Sequence, residues 1–167
     1  MNIFLVGFMG AGKSSVGKKL SEEMNYKFID TDSFIEKQTD RKIEDFFDKG
    51  EEEIFRKKER EFLQNFDSEN TVISTGGGMA CNMENISLMK KKGVIVYLFI
   101  TLREAIKRTH FDRPLLKNRE NIDSLFKKRL HFYRNANIII SIDKKTVEEV
   151  SKRIKALLCY ITPKGGC

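Results

Sequence analysis

Ile3-Phe4-Leu5-Val6-Gly7-Phe8-Met9-Gly10-Ala11-Gly12-Lys13-Ser14 is the stretch that decides the fold class. Ile3 to Val6 is a short apolar run ending in glycine, which predicts a strand. Gly7 to Ser14 then matches the pattern G-x-x-x-x-G-K-[ST]. Ser14 to Met24 carries Val16 and Leu20 at helical spacing, so a helix follows the motif. That order is what a phosphate cradle requires. Glycines let the backbone curl until its N–H groups point inward at phosphate oxygens. The start of the helix adds positive potential at the same place. Lys13 can reach β- and γ-phosphates, and Ser14 can ligate Mg²⁺. The motif therefore predicts a nucleotide site made by Gly10, Ala11, Gly12, Lys13, Ser14 and Ser15.

Working outward, strands alternate with helices, which predicts an α/β fold with a parallel sheet covered on both faces. Lys27 to Asp30 reads as the second strand, and Asp32 is expected to cap a helix carrying Phe34 and Ile35. Ile43 to Phe47 is a short helix, and Gly50 separates it from a charged helix over Glu51 to Phe66. Thr71 to Ser74 is the third strand. Met83 to Lys92 is a helix stopped by Gly93, and Val94 to Ile100 is a buried strand. Leu102 to Thr109 is helical, and His110 to Glu120 fits neither period. Ile122 to Asn135 is a helix, Ile138 to Ile142 the fifth strand, and Thr146 to Leu158 the last helix. The expected organisation is one domain over residues 1–161, with a frayed tail over 162–167.

Length and composition agree. A chain of 167 residues, 40% hydrophobic and 33% charged, can bury one core without disulfide staples. No apolar run approaches the roughly 18 residues of a membrane-spanning helix, so no membrane partner is expected. The first residues lack a basic start, and three glycines precede Lys13, which argues against a targeting segment. Cys81, Cys159 and Cys167 are odd in number and have no metal spacing. They predict no disulfide framework or zinc site, and a reducing compartment, the cytoplasm. Cys81 is expected to be a small apolar filler. The net charge of +7 is spread over helices and interleaved with glutamates, as in Lys57-Lys58-Glu59-Arg60-Glu61. No nucleic-acid signature accompanies it, so a solvated helix face is expected.

Two further segments bear on chemistry. Asp30-Thr31-Asp32 stands at the exit of the second strand, where open α/β sheets form their ligand crevice. Its carboxylates can face the phosphates, one toward a metal's water shell and one toward an acceptor hydroxyl. They can equally be a helix cap and a surface charge. Gly76-Gly77-Gly78 follows the third strand and either lets a substrate lie against backbone or forms a flexible turn. No guanine-reading Asn-Lys-x-Asp segment is present, which disfavours a GTPase and leaves small-molecule kinases.

Together, GFMGAGKSSVGKKL, FIDTD, GEEEIFRKKE, ISTGGG, RPLL and KKRLHFY resemble the shikimate kinase family over nearly the whole chain. The resemblance implies a nucleoside-monophosphate-kinase-like three-layer fold with strand order 2-3-1-4-5 and a mobile lid over about 109–120. It implies phosphorylation of the shikimate 3-hydroxyl by ATP, with Mg²⁺, in aromatic amino-acid biosynthesis, by a monomer. Residue by residue, it makes Lys13, Asp32 and Arg113 catalytic. Asp30 holds Mg²⁺ through water, beside Ser14. Arg56 and Arg129 bind the acceptor carboxylate, Glu59 orients Arg56, and Gly76, Gly77 and Gly78 contact the acceptor. Arg134 is the rival to Arg129. Arg108 and Arg113 reach the nucleotide. Two guanidinium groups suit a carboxylate, since each can grip it bidentately. Phe47 and Phe55 are candidates for the wall of the acceptor pocket, or for ordinary core.

Two departures stand out. Only four residues separate Arg108 from Arg113, which predicts a short lid, and the segment Asp143 to Thr146 lacks the proline often seen there. A different kinase of the superfamily, such as a gluconate kinase, would share the phosphate loop. It would lack the Asp-x-Asp, Phe-Arg and triple-glycine set.

Overall fold

The computed structural model describes residues 1–108 and 119–161, with the backbone alone at 119–121. The proposed lid segment up to residue 118, Arg113 within it, and the tail 162–167 lie outside the described residues.

Five strands form one wholly parallel sheet: β1 (Asn2–Val6), β2 (Lys27–Asp30), β3 (Thr71–Ser74), β4 (Gly93–Phe99) and β5 (Ile138–Ser141). Their order is β2-β3-β1-β4-β5. In register, Phe4 stands beside Ile73 on β3 and beside Ile95 on β4. Residues 3–5 of β1 are fully buried, as expected for a strand covered on both faces. β5 forms the edge and alternates, with Ile138 and Ile140 inward and Ile139 half exposed.

The connections decide the layers. From β1 the chain crosses to β2 in one direction through α1 (Lys13–Met24). Every later crossover runs the other way. These are α2 (Thr31–Thr39), α3 (Ile43–Asp48) and α4 (Glu52–Asn65), then α5 (Met83–Lys92), then α6 (Leu102–Arg108) and α7 (Arg119–Tyr133). Right-handed crossovers therefore place α1 on one face and the others on the opposite face. The last helix, α8 (Val147–Ile161), packs on α1. Ser151 Oγ on α8 donates to Glu23 Oε2 at 2.9 Å, and Lys155 Nζ to the Glu23 carbonyl at 2.9 Å. The result is the three-layer sandwich predicted above.

Several boundaries differ from the sequence reading. Asp30, not Asp32, caps α2: its Oδ1 accepts from the Ser33 amide at 3.2 Å, and Asp32 sits inside the first turn. α7 begins at Arg119 and not at Ile122, because residues 119–121 contain neither Gly nor Pro to oppose the helix. α8 continues to Ile161. Gly93 both ends α5 and opens β4 with an extended φ of 174°. A Cβ there would lie 2.8 Å from the Asn2 carbonyl carbon, so the glycine permits a close approach of β4 to β1. Cys81 is a free thiol, partly buried.

A main core surrounds the sheet. A smaller cluster of Ile35, Phe46 and Phe55, flanked by Phe34, Ile43 and Phe47, joins α2, α3 and α4. Among the described residues, no helix is long and apolar enough to cross a membrane.

Candidate active site

Strand order reverses at β1, and a parallel sheet opens a crevice at such a point, beyond the carboxyl ends of its strands. A cleft of about 520 Å³ lies there. It receives the loop after β1, the end of β2 and the loop after β3, and α4 and α7 supply residues from the covering layer.

The first wall is the glycine loop. Gly10 and Gly12 adopt φ values of 77° and 71°, which only glycine takes without strain. Lys13 Nζ folds over the loop and donates to the carbonyls of Gly7 (2.9 Å) and Phe8 (3.1 Å). Gly10, Gly12, Lys13, Ser14 and Ser15 line the cleft. Ala11 does not: its methyl is buried and its amide donates to the Phe8 carbonyl at 3.2 Å.

Ser14 Oγ donates to Asp30 Oδ2 at 2.6 Å and lies 3.2 Å from Ser74 Oγ. Two oxygen donors thus adjoin the phosphate loop. Among the described residues, no group of three or more His, Cys, Asp or Glu side chains could hold a metal. A sparse oxygen set suits a hard cation that takes most of its ligands from phosphate and water, as Mg²⁺ does. The residues present fit that ion.

The opposite wall is built on Gly76-Gly77-Gly78. None of the three has a positive φ. Their shared property is what presses on them. A Cβ on Gly76 would collide with the Asp32 carboxylate and stand 3.0 Å from Glu59 Oε1. On Gly77 it would stand 3.0 Å from Arg129 Nη1, and on Gly78 it would fall 2.5 Å from Arg56 Cζ and Nη2. Two carboxylates and two guanidinium groups therefore rest on one bare strip of backbone. The loop is a platform. It is held by Thr31 Oγ1, which accepts from the Gly76 amide at 3.0 Å, and by Tyr133, whose hydroxyl donates to the Gly77 carbonyl at 2.6 Å.

Arg56 and Arg129 arrive from different helices. Arg129 is only 8% exposed, stacked 5.8 Å above the Phe8 ring. Arg134, its rival, is exposed and does not line the cleft. Arg56 Nη1 donates to Glu59 Oε2 at 2.8 Å, while its Nε and Nη2 donate to Glu52 Oε1 at 3.2 and 2.7 Å. Glu59 is fully buried, and its Oε1 makes no hydrogen bond. Burial pushes its carboxyl up to about 7; Arg56 offsets part of the rise, Asp32 adds to it and Arg129 opposes it. Burial also raises the Tyr133 hydroxyl, leaving it a protonated donor, and the Cys81 thiol.

Phe47 and Phe55 line the cleft, and Phe55 also belongs to the small core cluster. Arg108 pairs with Glu104 at 3.3 Å and is not brought to the cleft. The sequence reading missed Thr31, Ser74 and Tyr133 as supports of the loops. It also missed Glu52, although a glutamate four residues before an arginine on a helix is a readable pair.

Known proteins resemble this chain in sequence and in fold. The family model described as shikimate kinase matches residues 9–159. A curated shikimate kinase of Sulfurihydrogenibium sp. (strain YO3AOP1) is 47% identical over 162 residues, covering 92% of this chain and 98% of the relative. The solved structure of shikimate kinase from Acinetobacter baumannii in complex with shikimate superposes with a TM-score of 0.91 at 33% identity, covering 98% of this chain and 95% of that one. Shikimate kinase from Aquifex aeolicus superposes at 0.86 with 36% identity, covering 99% and 100% of the two chains. With a matching fold, the phosphate loop and the paired arginines on the glycine platform, the chain belongs to the shikimate kinase family.

Proposed function

We propose that this chain transfers the γ-phosphoryl group of ATP to the 3-hydroxyl of shikimate, giving shikimate 3-phosphate and ADP. The observation that carries the reading is the glycine platform. Asp32 meets it at Gly76, Arg129 at Gly77 and Arg56 at Gly78, in the same cleft as the phosphate loop.

In this reading, Arg56 and Arg129 bind the acceptor carboxylate, and Glu59 orients Arg56. Gly76, Gly77 and Gly78 let the acceptor ring lie on the backbone. That anchoring turns the 3-hydroxyl toward Asp32. Asp32 accepts the hydroxyl proton as the oxygen attacks the γ-phosphorus and the bond to the ADP oxygen breaks. Gly10, Gly12, Lys13 and Ser15 cradle the phosphates, with Lys13 leaving its loop carbonyls for the transferring group. Ser14, and Asp30 through water, would hold Mg²⁺, which when bound neutralises charge on the β- and γ-phosphates. Arg113, from the segment outside the described residues, supplies a further cation to the transferring phosphate. In this reading the enzyme works as a cytoplasmic monomer.

The test is ATP consumption in a coupled assay with shikimate, with gluconate and with no acceptor. Shikimate-dependent turnover is expected. Equal consumption with gluconate, or none with shikimate, would refute the reading.

A further inference from the structure

Arg56 lines two clefts at once. One is the acceptor cleft just described, and the other is a second cleft of about 350 Å³ that shares Arg56, Gly78 and Arg129 with it. The two carboxylates that hold Arg56 divide between them. Glu59 lines the acceptor cleft and is fully buried, whereas Glu52 lines only the second cleft and its side chain is 52% exposed. Three donations from the Arg56 guanidinium are thereby committed: Nη1 to Glu59, and Nε and Nη2 to Glu52. A guanidinium has five N–H groups in a rigid fork. Two remain, both on the terminal nitrogens.

We propose that Glu52 is a positioning residue for acceptor binding, fixing from outside the cleft the guanidinium fork with which Arg56 receives the acceptor carboxylate. The inference rests on the reading of Arg56 as a carboxylate-binding residue. Glu52 holds the Nε–Nη2 edge, so rotation about the end of the arginine chain is blocked without occupying the side that faces the acceptor. An acceptor carboxylate does not compete with Glu52, because Glu52 does not enter the acceptor cleft. Two donations to one Glu52 oxygen also place the fork before the acceptor arrives, so less rotamer freedom is lost on binding.

The two holding carboxylates differ in kind. Glu59 is faced by Arg56 on its own helix, by Asp32 from α2 and by Arg129 from α7. Its carboxyl titrates near 7, so below neutrality it loses the charge that holds Nη1. Glu52 is half exposed and sits at the outer edge, with Arg60 and Lys128 also lining the second cleft. With Glu52 in place, Arg56 stays anchored whether or not Glu59 is charged. Without it, the anchoring depends on Glu59 alone.

The experiment is steady-state kinetics of Glu52→Gln, Glu53→Gln and Arg56→Lys across pH 6 to 8. Glu53 shares the first turn of α4, so Glu53→Gln controls for lost charge at the helix start. Glu52→Gln is expected to raise the KM for shikimate about tenfold at pH 8, with kcat and the KM for ATP within about twofold. Its KM should rise at least about threefold more on going to pH 6, while the wild type changes less, because only the variant relies on the Glu59 charge. Glu53→Gln should match the wild type. A shikimate KM within twofold of wild type in Glu52→Gln, or an equal rise in Glu53→Gln, overturns the inference. If Arg56→Lys also leaves that KM unchanged, the carboxylate-binding reading itself fails. If Arg56→Lys raises KM and Glu52→Gln does not, only the role of Glu52 falls.

Discussion

Gly78→Ala separates function from folding at a single methyl. The added Cβ would sit 2.5 Å from Arg56 Cζ and Nη2, whereas ordinary contacts of such an atom begin near 3.4 Å. The guanidinium must therefore retreat by about 1 Å, and a misplacement of that size in a positioning group can cost up to about 10²-fold. The atoms that move are the end of a flexible side chain, and Gly78 has no positive φ, so the fold absorbs the change. The expected result is a fall in kcat/KM for shikimate of roughly 10- to 100-fold, about 1.4 to 2.7 kcal/mol. The KM for ATP and the melting temperature should barely change. Initial rates with shikimate varied at saturating ATP, with a thermal melt of the same preparation, measure all of this. A kcat/KM within twofold of wild type would show that the platform does not set the position of Arg56. An equal loss on the ATP side would show that the methyl disturbs the whole cleft.

Gly93→Ala should do the reverse: its Cβ meets main chain of Asn2 that cannot step aside, so stability should drop by about 1–3 kcal/mol in denaturant titration. Asp32→Asn should lower kcat by about 10²-fold or more while nucleotide affinity measured by titration stays near wild type, because an amide cannot take the hydroxyl proton. Equal losses in both would place Asp32 on the nucleotide side. Glu59→Gln should flatten the pH dependence of stability. The Glu59 carboxyl is raised from 4.5 to about 7, so the native state holds a proton there that the unfolded chain releases. Its contribution favours folding below about 4.5 and is lost as pH rises through 7, a slope worth at most about 3 kcal/mol. Melts of wild type and variant from pH 5 to 8 should therefore converge at the acid end, relative to the alkaline end. Parallel curves would mean that Glu59 titrates in its ordinary range.

Signals carried within a few residues of chain were legible. The glycine loop needs positive φ at Gly10 and Gly12 and a helix opening at Lys13, all requirements of local backbone geometry. The alternation of apolar runs and amphipathic helices specified the parallel sheet. The choice between Asp30 and Asp32 as helix cap was not legible, because both precede the same helix and only the backbone path at the strand exit selects one. The start of α7 was lost for a similar reason: a polar stretch shows no period although nothing in it resists a helix.

By itself, the sequence determined the class of chemistry, since a phosphate loop is a local pattern, whereas Asp32, Arg56 and Arg129 were singled out only by the resemblance to a family. Tertiary structure alone decided their partnerships. Arg56 and Arg129 stand on α4 and α7, and they become neighbours only because both helices cover the same face of the sheet and meet one glycine loop. The proton affinity of Glu59 and the division of Arg56 between Glu59 and Glu52 follow from burial on one side of a helix and exposure on the other. Burial is set by what packs from distant parts of the chain, and no short stretch of residues contains that information.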